Sequence, residues 1–244
     1  MTALIRSEAL RLRTLRSTYA VLATVLGLGL AIAGGAMADA GGEGMTTPSQ
    51  LREPVMAGVG LLAAVILAGF AAVHAGGEYR YETITQRLLG APDRTGVLAT
   101  KLVAHGALAG IVGAIGVTAG LAIAEPLARA QDVTLDLSAG AVAGLAGGVV
   151  LGGALFAMLG TGVGLIARSQ AAGVIAIVAT FGVERLLSAL APGAAGYLPY
   201  GALQSLLQLG GAPLAPGVAA AALTLTTAAI TALAGWLLAR RDVT

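Results

Sequence analysis

Along the chain, long apolar runs alternate with short polar segments. Six of the runs reach the about 20 mainly apolar residues that a helix needs to cross the hydrocarbon core of a bilayer: residues 18–38, 55–75, 102–124, 139–167, 171–190 and 217–239. The pattern predicts an all-α integral membrane protein in which residues 1–244 form a single transmembrane domain. The fourth run is long enough to tilt or bend. Ahead of the first run, residues 3–17 predict an amphipathic helix lying at the membrane interface. At about 100° per residue, Leu4, Ile5, Leu12 and Leu15 share one side, with Tyr19 just beyond, while Arg6, Arg13 and Arg16 lie away from it. Arg11 breaks this pattern, and Glu8 three residues earlier is placed to pair with it. The helix either anchors at the headgroups and feeds span one, or is a charged flank that sets topology.

Composition points the same way. The chain is 57% hydrophobic and 11% charged, against about 25% charged in a soluble domain, so its surface could not be covered in water. Its 37 glycines suit helices whose backbones approach closely in lipid. Cysteine is absent, which removes disulfides, thiolate metal sites and a cysteine nucleophile. A net charge of +2 with scattered basic residues gives no nucleic-acid face.

Orientation follows from Lys and Arg. With both termini in the cytoplasm, Arg6, Arg11, Arg13, Arg16, Arg80, Arg87, Arg94, Lys101, Arg168, Arg240 and Arg241 lie inside, and only Arg52, Arg129 and Arg185 outside. Ala36-Met37-Ala38 after a basic flank resembles a signal-peptide cleavage site. The preceding run, residues 18–38, is longer than the about 7–15 residues of a signal core, which favours an uncleaved span.

One polar stretch interrupts the apolar frame: residues 78–90, EYRYETITQRLLG, in the second cytoplasmic segment. On a helix, Tyr81, Ile84 and Leu88 make a narrow apolar stripe, with Glu78, Glu82 and Gln86 in one flanking row and Arg80, Thr83 and Arg87 in another. Gly90 and Pro92 stop it. This predicts a short cytoplasmic helix that either docks in a groove on a partner, with its charges setting register, or is simply solvated.

The segment Gly77-Glu78-Tyr79-Arg80-Tyr81-Glu82-Thr83-Ile84-Thr85-Gln86-Arg87-Leu88 follows span two and precedes Pro92, Arg94 and Lys101. Together with the basic N-terminal helix, the six spans and Tyr197-Leu198-Pro199 after span five, it resembles the membrane subunit of an ABC-2 type ATP-binding cassette transporter over essentially the whole chain. The resemblance implies that residues 78–90 are a coupling helix seated in a groove of a cytoplasmic P-loop ATPase. Glu78, Arg80, Tyr81, Glu82, Thr83, Ile84, Arg87 and Leu88 would then form the partner-binding surface. It further implies two ATPase copies, a second permease subunit (a homodimer partner), and an exporter of an amphipathic or hydrophobic substrate in the plasma membrane. No G-x-x-x-x-G-K-[ST] occurs in the chain, so ATP and Mg²⁺ would belong to the partner, and this chain is expected to bind no cofactor and to catalyse nothing.

Other classes find less support in the residues. His74 and His105 lack a Glu or His at metalloprotease spacing, and neither Ser188 nor Ser205 has a serine-protease setting. A secondary transporter would use ionisable groups near mid-membrane. The candidates inside a span are Glu184 and Arg185, which either line a polar constriction on a pathway or serve as an interhelical tie and an interfacial charge. Gly144, Gly148, Gly152, Gly160 and Gly164 form a ladder in span four, and Gly106, Gly110 and Ala114 one in span three. Such ladders pack helices within a subunit or across a dimer seam. Residues 201–209, after the interfacial Tyr197 and Tyr200, are expected to form a short helix.

Overall fold

A computed structural model describes residues 2–43, 48–81, 83–84, 94–130, 132, 135, 138–210 and 213–240. Among the described residues the chain is helical throughout, without strands. Six helices are long and apolar enough to cross a membrane, in keeping with a multi-pass membrane protein. The described elements, in chain order, are α1 (Thr2–Thr14), α2 (Arg16–Glu43), α3 (Pro48–Val55), a π-helical stretch (Met56–Leu62), α4 (Ala63–Arg80), α5 (Arg94–Arg129), α6 (Ala139–Ala167), α7 (Gln170–Leu190), α8 (Pro192–Ala195), α9 (Pro199–Leu206) and α10 (Pro216–Arg240).

The apolar runs locate these helices, but several helices outlast their runs. The second run lies inside a continuous helical stretch, Arg52–Arg80, and the third lies inside the 36-residue α5. Hydropathy marks what lipid or core will accept, whereas a helix ends only where its backbone is capped or broken. At about 1.5 Å per residue α5 is roughly 54 Å long, well beyond the hydrocarbon core. The N-terminal helix breaks at Leu15, where the Tyr19 hydroxyl donates to the Arg13 carbonyl at 2.8 Å and holds the turn between α1 and α2. The expected short helix 201–209 is α9, and it begins two residues earlier, at Pro199, whose fixed φ suits the first helical position.

The centre of the bundle is α6, which packs on α4, α5 and α10. Its glycine ladder answers the question left open by the sequence, since four of its five members are used within this chain. A Cβ on Gly160 or Gly164 would run into the backbone of Ala68 or Ala72 on α4, and one on Gly148 would lie 2.9 Å from the Leu206 carbonyl oxygen. Gly152 faces Leu203, while Gly144 has open space around it. In α5, Gly106 and Gly110 face Met158 and Val150 of α6. Close approach of α4 and α6 therefore depends on missing side chains rather than on large interlocking ones.

One end of the bundle gathers most of the described basic groups, and several described turns there are tied down. Arg168 closes α6 in the left-handed conformation (φ 51°), with its N–H on the Gly164 carbonyl, and Ser169 caps α7 by accepting from the Ala172 N–H. The Arg168 guanidinium lies over the Tyr79 ring at 5.1 Å. Arg94 donates to the Leu238 carbonyl at 2.8 Å, satisfying a last-turn oxygen of α10.

Candidate functional site

At this basic end the structure assembles a cluster that linear spacing does not reveal. Glu8, Arg11 and Leu12 turn one face of α1 inward; His74 and Glu78, four apart, share a face of α4; Lys101 and His105, also four apart, share a face of α5. Glu8, Glu78 and Lys101 are completely buried, and His105 nearly so. Lys101 Nζ lies 2.6 Å from Glu78 Oε1 and 3.4 Å from Glu8 Oε1. Arg11 pairs with the same Glu78 oxygen from the other side. The local Glu8 to Arg11 contact expected from the sequence thus gives way to pairs across helices. In the low dielectric of a buried site, each carboxylate lowers its energy most by reaching a cation it can hold without water.

A hydrogen-bonded relay continues from these charges. His74 Nδ1 lies 3.0 Å from His105 Nε2, and His105 Nδ1 lies 2.8 Å from Thr161 Oγ1 of α6. The Thr161 hydroxyl donates its one proton to the Ala157 carbonyl at 2.9 Å, so it accepts from His105 Nδ1–H. With the His105 ring neutral, its Nε2 is then the acceptor and His74 Nδ1–H the donor. Phe70, one turn before His74, stacks on the His74 ring with centroids 5.8 Å apart. Four helices, α1, α4, α5 and α6, meet in this one network.

Among the described residues, Glu8, His74 and His105 place one ligand atom each within 4.8 Å of one another and form a group that could hold a metal ion. The charge balance counts against a divalent one. Glu8 and Glu78 already offset Arg11 and Lys101, so a dication would leave two positive charges uncompensated in a buried site. It would also have to displace the hydrogen bond between the imidazoles.

Beside the cluster, between the α1–α2 turn, α4 and α7, runs a groove of about 760 Å³. Arg11, His74, Tyr81 and Gln170 make its end polar, while Val65, Phe70, Val174 and Val178 make the rest apolar. Val65 and Val178 also line a second hollow of about 260 Å³ that ends at Phe181 and Tyr200. The two together follow α4 and α7 from the basic end toward α9.

The expected partner-binding residues fall in several places. Glu78 is internal, held by Lys101 and Arg11, and belongs with Arg80 to the last turn of α4 rather than to a separate helix. Arg80 is exposed and reaches Gln170 at 3.5 Å. Tyr81 is 65% exposed, whereas Ile84 is buried within the chain at 2%. Of the expected apolar stripe, then, Tyr81 stands open while Ile84 is already covered. Thr83 is half-buried, its hydroxyl 3.5 Å from the Glu78 carbonyl. Glu82, Arg87 and Leu88 lie outside the described residues.

Glu184 and Arg185 separate cleanly. Glu184 is buried, and its Oε2 accepts from the backbone N–H of Tyr200 at 2.9 Å and of Gly201 at 3.2 Å. These are the second and third residues of α9, whose own cap position, Leu198, has no side-chain oxygen to offer. A carboxylate from another helix does the capping. The Tyr200 hydroxyl donates back to the Ile177 carbonyl at 3.0 Å, and its ring packs edge-on against Phe156 and Phe181. Burial, and then the nearby Glu184 carboxylate, pushes the Tyr200 phenol up to about 12, so it stays a donor. Arg185, one residue on, is exposed, its guanidinium 6.0 Å from the Phe181 ring centroid. Glu184 is an interhelical tie here, and Arg185 an outward charge.

Glu8, His74, Lys101 and His105 were not foreseen as one site. The signal available was that each polar residue interrupts an apolar helix face, twice as an i, i+4 pair (His74 with Glu78, Lys101 with His105). Such residues need partners when buried. Comparison of the chain with known proteins finds no matching family model and no significant match among curated proteins.

Proposed function

We propose that the chain is the permease subunit of an ABC-2 type exporter in the plasma membrane, with both termini cytoplasmic. It would move an amphipathic or hydrophobic substrate outward as a homodimer, powered by two copies of a separate P-loop ATPase. The observation that carries this reading is the position of Glu78. It opens the segment on which the resemblance rests, and it is clamped by Lys101 of α5 and Arg11 of α1 inside a buried contact. A displacement imposed on residues 78–90 by a partner would therefore reach α1, α4 and α5 together, through a contact too costly to break.

The groove supplies the other half of the mechanism. Its polar end and apolar length have the profile of a site for an amphipathic molecule, and it lies between α4, which the cluster drives, and α7. Movement of α4 against α7 would widen or close it. Exposed apolar side chains on α2 and α7, such as Ile32, Ile175 and Leu186, leave room for a second copy. An ion-coupled secondary transporter is the competing reading; it needs an ionisable group available in the membrane, and the engagement of Glu184 as a helix cap favours ATP drive over it.

The test is co-purification from the native membrane in mild detergent, with mass spectrometry of the bound proteins. A P-loop ATPase is expected in near-equal amount, and lost with Glu82→Lys or Arg87→Glu while the protein still inserts and elutes normally. Substitution of Ile84 would be uninformative, because its side chain is part of this chain's own packing. Normal ATPase binding by both charge-reversed variants would refute the coupling assignment, and absence of any ATPase from intact, folded protein would refute the ATP-driven class and favour the secondary transporter.

A further inference from the structure

On the other side of α1 from the groove, a separate slot of about 360 Å³ lies between α1, α2 and α5. Leu12, Leu22, Ala107, Leu108 and Ile111 give it apolar walls, and among the described residues the only charged one lining it is Arg13. Along α5 it runs from Val103 to Ile111, about 12 Å at ~1.5 Å per residue. The exposure of Val103 and Ile111, 45% and 59%, shows that it opens sideways. Arg13 is exposed and forms no ion pair among the described residues.

A second feature needs an explanation. Thr18, which also lines the slot, is only 4% exposed, and its hydroxyl has no hydrogen-bond partner among the described residues. A helical threonine ordinarily donates to the carbonyl four residues earlier, as Thr24, Thr118 and Thr161 do here. For Thr18 that residue is Thr14, on the far side of the break at Leu15. Buried polar atoms left without a partner point to a group missing from the protein alone.

We propose that this slot binds one anionic glycerophospholipid of the surrounding membrane. One acyl chain lies along α5 between Leu22 and Leu108, the phosphate sits on Arg13, and the ester region meets the Thr18 hydroxyl. The proposal rests on α1 lying at a membrane face, and not on the identity of any transported substrate. A basic group at the mouth, a buried hydroxyl below it and an apolar trough beyond match the order of groups in such a lipid. The lipid would hold α1 against α5, next to the ion-pair cluster.

The experiment is native mass spectrometry of protein purified in a neutral detergent and titrated with mixed micelles of phosphatidylglycerol or phosphatidylcholine. One tight phosphatidylglycerol adduct per chain is expected, with phosphatidylcholine weaker. Arg13→Gln should weaken the phosphatidylglycerol adduct by about fivefold, the effect of one basic contact at a membrane surface, while Arg240→Gln, the same charge change at an exposed position of α10 that does not line the slot, leaves it unaltered. Thr18→Val should weaken it as well, and Ala107→Phe, at an exposed position that tolerates the added bulk, should abolish it. Equal losses from Arg13→Gln and Arg240→Gln would mean diffuse charge attraction and overturn the site. So would equal binding of the two lipids, or an adduct that survives Ala107→Phe.

Discussion

Lys101 is where the buried cluster can be tested most sharply. Its ammonium is fully buried and serves two carboxylates, Glu78 at 2.6 Å and Glu8 at 3.4 Å. Lys101→Met keeps the length of the side chain and removes the charge, which leaves two buried carboxylates with Arg11 as the remaining cation between them. Breaking a buried ion pair by removing one partner costs about 3–5 kcal/mol, and the complete burial of Glu8, Glu78 and Lys101 leaves little solvent screening to reduce the figure. Glu78→Gln in addition to Lys101→Met restores the balance, because Glu8 and Arg11 stay behind three residues apart on α1, close enough to neutralise each other. The double variant should therefore recover most of the loss, and the two single effects should exceed the double by at least about 2 kcal/mol. The assay is reversible unfolding in mixed detergent–SDS micelles, followed by far-ultraviolet circular dichroism. If Lys101→Met changes stability by less than about 1 kcal/mol, or if the effects add, the charges are solvated and Glu78 does not transmit displacement through them.

Two further outcomes follow from the packing and the caps. Gly160→Ala should destabilise by about 1–3 kcal/mol, because the added methyl meets the Ala68 backbone. Gly144→Ala, with nothing around it, should be neutral or stabilise by up to about 1 kcal/mol through helix propensity, and the same unfolding assay compares them. Glu184→Ala leaves two N–H groups of α9 without their acceptor and should cost about 0.5–2 kcal/mol, with faster amide exchange at Tyr200 and Gly201. Glu184→Gln keeps an acceptor oxygen and should lose less, and equal exchange in the two variants would refute the capping role.

The sequence by itself determined the class of this protein. Apolar runs too long and too uncharged for a soluble surface leave lipid as the solvent, and helices are what a chain of this pattern can place there, since each satisfies its own backbone. It also located the six long helices, the N-terminal helix and the short helix after span five, because those depend on local hydropathy and on caps a few residues away. The ends of the helices were less legible: α5 continues through Arg94 to Lys101 because backbone bonding does not stop where hydropathy falls.

What tertiary structure decided was the partnership of polar residues. Glu8, Glu78 and Lys101 are separated by 70 and 23 positions, and His74 and His105 by 31, so no spacing rule connects them. They meet because glycines on α6 let α4 come close and because α1 folds back at Leu15 onto α5. The ladder of glycines was plain in the sequence, but whether it served this chain or a second copy depended on what faced it. Glu184 was a lone buried-side carboxylate until α9 presented two unsatisfied N–H groups to it. In each case the physical reason is the same: hydropathy is local and additive along the chain, whereas a buried charge or an orphaned hydrogen bond is satisfied by whichever residue the fold brings within about 3 Å.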